Sequence, residues 1–503
     1  MILRLFGMKE KEKNTNYAYG FAAILAVALT VNLGFYLLPD SIFGIRIKKV
    51  DLLADIRTVP AHGNDLLALL ADEEDEDLYD VPSDGLSEII SVDSIIQPPP
   101  PNSQLDGTPP TPPAPPKTAD ESSQNIDFLT NKNIEDFTAD HNGLQHFFAA
   151  LNNINHLGRP VRIAFLGDSF IEGDIFVADF RAKMQQHFGG RGVGFIPIAS
   201  EVAKYRPTIK QTAEGWKTYS IIKDKSKKYV LSGLVFEPKS DQASFRFENT
   251  NMYPGLEEVS TIKFLYAKNE QTELLLKSND DTATYLLPTT HTVAQFEING
   301  NFTKGTVQFK NSAGLDALGL AFEDNRGVVV DNFSLRGNSG IVMSVLDRNS
   351  CRALQEIRPY DLIILQYGLN VASDSVRDYG WYRTQMITVV EHIQDCFPGA
   401  DLMLMGISDR SQNQGGAYVT MPAVISLLRA QRQTASRSGI TFWSIFAAMG
   451  GTGSMVKYVN SNWASKDYTH LSFRGGREIA NALFDALIIE KDLYEKDERF
   501  VER

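Results

Sequence analysis

The chain is short of cysteine and histidine, with two of the first and eight of the second in 503 residues. Two thiols cannot build a zinc cluster or a disulfide-dense scaffold. It also lacks any basic block. Forty-nine Lys and Arg against 62 Asp and Glu leave a net charge of −13, which repels phosphate backbones and argues against a nucleic-acid partner. There is no HExxH, CxxC or P-loop spacing, so the metal, redox and nucleotide chemistries they signal are not expected, and neither is a cofactor. No GxSxG elbow is present, which argues against an ordinary α/β-hydrolase. What the chain does have is a globular average of 43% apolar and 22% charged residues. At roughly 100–200 residues per domain its length predicts two to four units.

Tyr17–Leu38 (YAYGFAAILAVALTVNLGFYLL) contains no charged residue. At about 1.5 Å per residue it reaches roughly 33 Å, enough to cross a bilayer core. Tyr17, Tyr19 and Tyr36 lie near its ends, where aromatic rings favour the headgroup layer. No small-x-small site follows, so an uncleaved signal anchor is expected at 17–38 behind a cytoplasmic 1–16. Residues 39–125 read as an acidic and proline-rich disordered linker. Asp72–Asp77 is a run of six acids, and ten of the 22 prolines fall between Pro98 and Pro116. Such a stretch forms polyproline II and cannot pack a core.

Beyond the linker the pattern becomes that of an α/β protein. Pro160–Leu166, Asp361–Gln366, Asp401–Gly406 and Ile440–Ile445 are apolar runs separated by helix-like stretches at 177–188, 382–396 and 421–438. Strands apolar on both faces that alternate with helices predict a parallel sheet covered on both sides. From 201 to 332 the runs are short, rich in Val, Thr, Tyr and Phe, and separated by Asn, Asp, Gly and Pro. They include Tyr229–Phe236, Ala243–Phe247, Thr261–Ala267, Thr282–Leu287 and Gly305–Phe309, a spacing that predicts an antiparallel sandwich. The α/β domain is thus expected in two parts, 126–200 and 333–503, interrupted by the sandwich.

Four short motifs fall at the expected carboxyl ends of strands, where ligand chemistry gathers in such sheets. Gly167-Asp168-Ser169 closes the first strand and opens the first helix, which places a hydroxyl at the top of the sheet and a backbone N–H at a helix N-terminus. Arg336-Gly337-Asn338-Ser339-Gly340 offers glycine N–H groups. Gly368-Leu369-Asn370 offers an amide donor. Asp467-Tyr468-Thr469-His470 offers a base whose unperturbed pKa suits proton shuttling near neutrality, with a carboxylate to orient it. Each alone is an ordinary turn or cap. Together they supply a nucleophile, an oxyanion hole and an oriented base, the set needed for acyl transfer through serine.

In these blocks the chain resembles the SGNH (GDSL-type) hydrolases. The longer stretches GDSFIEGD, FGGRGVGF, FWSIFAAMGGTGSM and DYTHLSFRGG are similar to bacterial cell-wall O-acetylesterases, which carry a carbohydrate-binding-like sandwich inserted after the first block. The resemblance implies an SGNH-type three-layer domain with Ser169 as nucleophile, His470 as base and Asp467 as its orienter. It implies oxyanion donors at the Ser169 N–H, Gly340 (Gly337 being the other choice) and Asn370, with Asp168, Gly337 and Gly368 in support or touching substrate. One departure is Val371, where relatives often place an acid. The function implied is removal of O-acetyl groups from a glycan, peptidoglycan first, by an enzyme anchored in a bacterial inner membrane with its catalytic domain in the periplasm. Two alternatives stay open: an O-acetyltransferase working with a membrane-bound O-acyltransferase, and an inactive glycan-binding scaffold. Cys351 and Cys396 lie on two helix-like segments of the same domain and read equally well as a disulfide or as two buried thiols.

Overall fold

A computed structural model describes residues 41–42, 45–46, 128–279 and 281–496. The expected anchor at 17–38 and nearly all of the linker lie outside them. Among the described residues no helix is long and apolar enough to cross a membrane. The chain divides into two units, Met1–Ala68 and Leu69–Arg503. In the first, the two-residue strands Ser41–Ile42 and Ile45–Arg46 pair antiparallel. The rest of the description concerns the second.

Its centre is a six-stranded sheet. The strands are β1 (Glu135–Asp136), β2 (Val161–Gly167), β3 (Val328–Ser334), β4 (Leu362–Gln366), β5 (Asp401–Gly406) and β6 (Thr441–Ser444), in the order β3-β2-β4-β5-β6-β1. All neighbours are parallel except the short edge strand β1. Every residue of β2, β4, β5 and β6 is buried, as strands covered by helices on both faces must be. The helices are α1 (Gln145–Asn152), α2 (Val177–Phe188), α3 (Arg348–Ile357), α4 (Gly380–Cys396), α5 (Pro422–Ser438), α6 (Ile445–Met449), α7 (Ser454–Asn460) and α8 (Phe473–Lys496). The chain steps from β2 to β3 in one direction and returns past β2 to β4 in the other. Right-handed crossovers then put α2 on one face of the sheet and α3, α4 and α5 on the opposite one. That reversal makes a topological switch point between β2 and β4. Gly167 pairs with Ser334 on one side and Gln366 on the other, so the three strands end level there.

The crossover from α2 to β3 is interrupted by a two-sheet sandwich. One sheet runs Ala294–Phe302, Val259–Lys268, Asp316–Glu323, Leu234–Pro238 and Trp216–Ser220, with Gly194–Ile196 added beside Asp316–Glu323; the other runs Asp281–Leu286, Glu273–Ser278, Lys304–Lys310, Ser244–Asn249 and Ile209–Glu214. Phe245, Phe264, Phe309 and Phe322 fill its core. The first sheet's outer face, including Leu265, Leu318 and Ala321, packs into the core of the α/β domain.

The domain edges differ from those expected at 200/201 and 332/333. Gly194–Ile196 already belongs to the sandwich, and Val328–Ser334 belongs to the parallel sheet. The VVVDNFS run adjoins β-rich sequence of like composition, so nothing local marks the crossing. The two crossing points touch: Val328 donates its N–H to the Gly189 carbonyl at 2.8 Å. Tyr229–Phe236 also differs, since only Leu234–Pro238 is strand, while Tyr229, Val230 and Leu231 are loop residues buried in the α/β core.

Buried ions weld the sandwich to the sheet. Glu323 accepts from Arg162 at 2.7 Å and Arg358 at 2.6 Å, and Lys263 lies 2.9 Å away. Asp331 receives Arg358 at 2.8 Å, the Tyr360 hydroxyl at 2.8 Å and the Phe195 N–H at 2.8 Å. Burial opposes the ionisation of Glu323, but Arg358, Arg162 and Lys263 hold its carboxyl well below the usual range. Cys351 and Cys396 are both buried free thiols.

Candidate active site

β2 ends at Gly167, where a side chain has no room: a Cβ would stand 2.7 Å from Ile171 and 2.8 Å from Gln366. The chain then turns sharply, with the Asp168 carboxylate accepting the Phe170 N–H at 2.9 Å, and presents Ser169 half-buried at the sheet's carboxyl edge. A 3₁₀ turn at Glu172–Asp174 follows, and α2 begins only at Val177. Ser169 therefore does not stand at a helix N-terminus, contrary to the expectation from its spacing. Asp174 explains the delay. It is buried at φ +67° and receives Arg181 at 3.2 Å, Arg206 at 3.0 Å, the Thr208 hydroxyl at 2.6 Å and the Asn332 amide at 2.7 Å. This cluster pins the serine loop to α2, β3 and the sandwich. Burial opposes its charge, yet Arg181 and Arg206 hold it far below the ordinary carboxylate range.

Three hundred and one positions away in sequence, His470 faces Ser169 with Nε2 3.4 Å from Oγ. Its Nδ1 lies 2.6 Å from Asp467 Oδ2. A neutral ring that donates from Nδ1 leaves an Nε2 lone pair for the serine hydroxyl. The other carboxylate oxygen of Asp467 accepts the N–H groups of Thr469 at 2.9 Å and His470 at 3.0 Å, and the Ser465 hydroxyl. One carboxylate thus shapes the turn and orients the ring. Burial works against its ionisation, but the bonds from His470 and Ser465 keep it well below the usual range. The turn contains Tyr468 at φ +56°, a left-handed conformation that costs an ordinary residue roughly 1–2 kcal/mol. It is held from outside by a hairpin, Ser411–Gln414 with Ala417–Thr420. Ser411 donates its N–H to the Tyr468 carbonyl at 3.1 Å, and the Tyr418 ring stacks on Tyr468 with centroids 3.6 Å apart.

The expected oxyanion donors meet in one network, and it is already occupied. Asn370 donates to Asp168 Oδ2 at 2.9 Å and to the Asn338 carbonyl at 3.1 Å. The Gly340 N–H donates to Asn338 Oδ1 at 2.8 Å. Neither donor stands free for an oxyanion in this arrangement, because polar groups beneath the edge satisfy one another. Asp168 is buried, and burial lifts its carboxyl to about 6, against the Phe170 N–H and the His470 charge. Gly340 has φ +91°, and a Cβ there would press on the Tyr367 ring at 2.8 Å; Gly368 has φ +127° and abuts Gln431. Gln431 on α5 in turn joins the Tyr367 carbonyl to the Ile407 N–H, tying the ends of β4 and β5. Gly337 sits apart at φ +74° with open space around it, beside an Arg336–Glu172 pair at 2.6 Å.

No protein-family model and no curated protein matches the sequence. Solved structures do match. One, of a peptidoglycan O-acetylesterase in action, is 20% identical, covers 72% of this chain and 99% of its own, and superposes with a TM-score of 0.60. The chain shares the fold of that structure. Also matched are a family two carbohydrate esterase from Cellvibrio japonicus (13% identity, 57% of this chain and 98% of that one, TM-score 0.23) and the carbohydrate acetylesterase Est24 from Sinorhizobium meliloti (15%, 32% and 79%, TM-score 0.25).

Within this fold the four sequence blocks converge at the switch point between β2 and β4. Sequence reasoning missed three of the supports. Asn338 lies inside the second block, yet its role as the hub for Gly340 and Asn370 needs coordinates. Asp174 is the last residue of GDSFIEGD, where an acid on a turn reads as solvated. The hairpin carries a Gly415-Gly416 turn at φ +62° and +90°, a hairpin signature that could have been read, although its contact with Tyr468 could not. Among the described residues no cluster of His, Cys, Asp and Glu is arranged to hold a metal ion.

Proposed function

We propose that this chain is a serine esterase of the cell envelope that removes O-acetyl groups from a glycan, with peptidoglycan as the substrate. The observation that carries the reading is the relay from Asp467 through His470 to Ser169, at 2.6 and 3.4 Å. Ser169 Oγ attacks the acetyl carbonyl as His470 Nε2 takes its proton, and Asp467 stabilises the imidazolium. The tetrahedral oxyanion is received by the Ser169 N–H, and by Asn370 and Gly340 once these release Asp168 and Asn338. Such bonds commonly form only in the reacting complex. His470 returns the proton to the departing sugar oxygen. Water, deprotonated by His470, then cleaves the acyl-enzyme, releasing acetate and restoring the serine.

The side chains of His470 and Asp467 are 43% and 44% exposed, and Asn370 is exposed. So open an edge suits an ester carried on a polymer rather than a small enclosed ligand. The name of the peptidoglycan O-acetylesterase that shares the fold supports the choice of substrate. In this reading residues 17–38 span a bacterial inner membrane, 39–125 space the catalytic domain from it in the periplasm, and the sandwich orients the polymer. Acetyl groups would reach that glycan through a membrane-bound O-acyltransferase.

The test is acetate release from 4-nitrophenyl acetate and from O-acetylated peptidoglycan by the full-length protein. Ser169→Ala should lower kcat/KM by about 10⁴-fold or more. Equal rates in the two proteins would remove Ser169 from the chemistry. Acetyl recovered on an added sugar instead of as acetate would convert the reading to a transferase.

A further inference from the structure

The turn that carries His470 is held by two sets of contacts. One set is its own. Tyr468 donates its N–H to the Ser465 carbonyl at 3.1 Å, Ser465 donates to the His470 carbonyl at 2.8 Å, and Ala464 pairs with Leu471 at the mouth of the loop. These bonds close the loop around Tyr468, whose φ is +56°. A residue other than glycine keeps such a backbone only where its surroundings enforce it. The second set comes from the hairpin of Ser411–Gln414 and Ala417–Thr420.

The hairpin stands in solvent, since every residue from Asn413 to Val419 is exposed. A two-stranded ribbon alone is marginal in water, and this one is fixed at its foot. Met421 donates its N–H to the Arg410 carbonyl at 2.8 Å, and Thr420 Oγ1 accepts the Gly453 N–H at 2.7 Å. Asp409, buried just before the hairpin, accepts the Met455 N–H at 2.8 Å. The start of α7 is thus the post from which the ribbon projects. From that post it reaches the turn twice. Ser411 gives its N–H to the Tyr468 carbonyl at 3.1 Å, and the Tyr418 ring lies on the Tyr468 ring with centroids 3.6 Å and planes 9° apart. Ring quadrupoles disfavour so square a stack, so the backbone on either side holds it in place. Tyr468 also packs against the α/β core, and core and hairpin therefore both bear on it.

We propose that Tyr418 is a positioning residue for the reaction: through Tyr468, the hairpin keeps the His470 ring turned toward Ser169. The inference deepens the esterase reading and rests on it for the roles of His470 and Ser169. Nε2 stands 3.4 Å from Oγ, at the far edge of hydrogen-bond reach. A small shift of the turn would open the gap that the proton must cross, and a misplacement of about 1 Å can cost about 10²-fold in rate. Because Tyr418 acts at one remove, its loss should slow the chemical step and leave substrate binding alone.

The experiment is acetyl-ester hydrolysis by the full-length protein and its variants. Tyr418→Leu should lower kcat by about 10- to 100-fold with KM changed by less than about twofold. Tyr418→Phe keeps the ring and should keep kcat. Tyr468→Leu removes the same stack from the other side, and the double variant should be no slower than the slower single one, as for two residues on one path. A second readout needs no turnover. The His470 Nδ1–H bonded to Asp467 is followed as a low-field proton NMR signal, identified by its loss in His470→Gln. It should broaden or vanish in Tyr418→Leu and persist in Tyr418→Phe. That signal decides the proposal even if Ser169→Ala shows that another group is the nucleophile. In an active enzyme, kcat of Tyr418→Leu within about twofold of the unaltered protein overturns the proposal. So does a His470 signal left as sharp as before, or a loss in Tyr418→Phe equal to that in Tyr418→Leu, which would assign the effect to the hydroxyl.

Discussion

Asp467→Asn separates the two tasks of one carboxylate. Oδ1 holds the turn through the N–H groups of Thr469 and His470, and an Asn carbonyl oxygen can keep both bonds. Oδ2 faces His470 Nδ1 at 2.6 Å, where an Asn would present its NH₂. Two donors cannot share that contact, so the ring must accept at Nδ1 and carry its proton on Nε2, facing Ser169. A base with the wrong tautomer cannot take the serine proton. The equivalent change in serine proteases lowers kcat about 10⁴-fold, some 5.5 kcal/mol of transition-state stabilisation. The assay is steady-state hydrolysis of an acetyl ester by the full-length protein, read with a thermal unfolding curve. We expect kcat to fall by about 10³–10⁴-fold with little change in melting temperature. Asp467→Ala should cost activity and stability together, because it also removes the acceptor that shapes the turn. Activity of Asp467→Asn within tenfold of the unaltered protein would refute the relay.

Arg358→Met leaves Asp331 buried without its cation, with only the Tyr360 hydroxyl and the Phe195 N–H remaining. Urea unfolding should show a loss of about 3–5 kcal/mol. Asp401, at the start of β5, is buried, and burial lifts its carboxyl to about 8 against the Phe147 and His146 N–H groups. Its folded pKa lies above its unfolded one, so its contribution is complete at low pH and drains away as pH rises from about 4 to 8. Asp401→Asn should therefore gain stability on the unaltered protein across that window and hold a constant difference above it, as thermal unfolding against pH will record.

The parallel strands were legible because burial on both faces leaves long apolar runs, as in VRIAFL, LIILQ and DLMLMG. Three of the four blocks were legible as turns at the carboxyl ends of β2, β3 and β4, whereas Asp467–His470, expected at a strand end as well, lies on the loop between α7 and α8. The strand VVVDNFS was not, since it follows sandwich sequence of the same character and only pairing with β2 distinguishes it. Nor could sequence tell that the loop of Ser169 runs on for a 3₁₀ turn before α2, because the partners that hold Asp174 come from as far as Thr208 and Asn332. The occupancy of the Asn370 and Gly340 donors is likewise a matter of which atoms lie within hydrogen-bond reach, at 2.8 to 3.1 Å, and spacing along a chain carries no such information.

Gly189 and Val328 meet across one hydrogen bond, so the polypeptide goes out to its second module and comes home through a single doorway. Splicing the chain there would delete the module without moving a strand of the parallel sheet. The trimmed protein would nonetheless bare the greasy wall that Leu265, Leu318 and Ala321 now cover, along with Arg162 and Arg358 stripped of Glu323. The appendage is removable on a wiring diagram and indispensable to the solubility of what would be left.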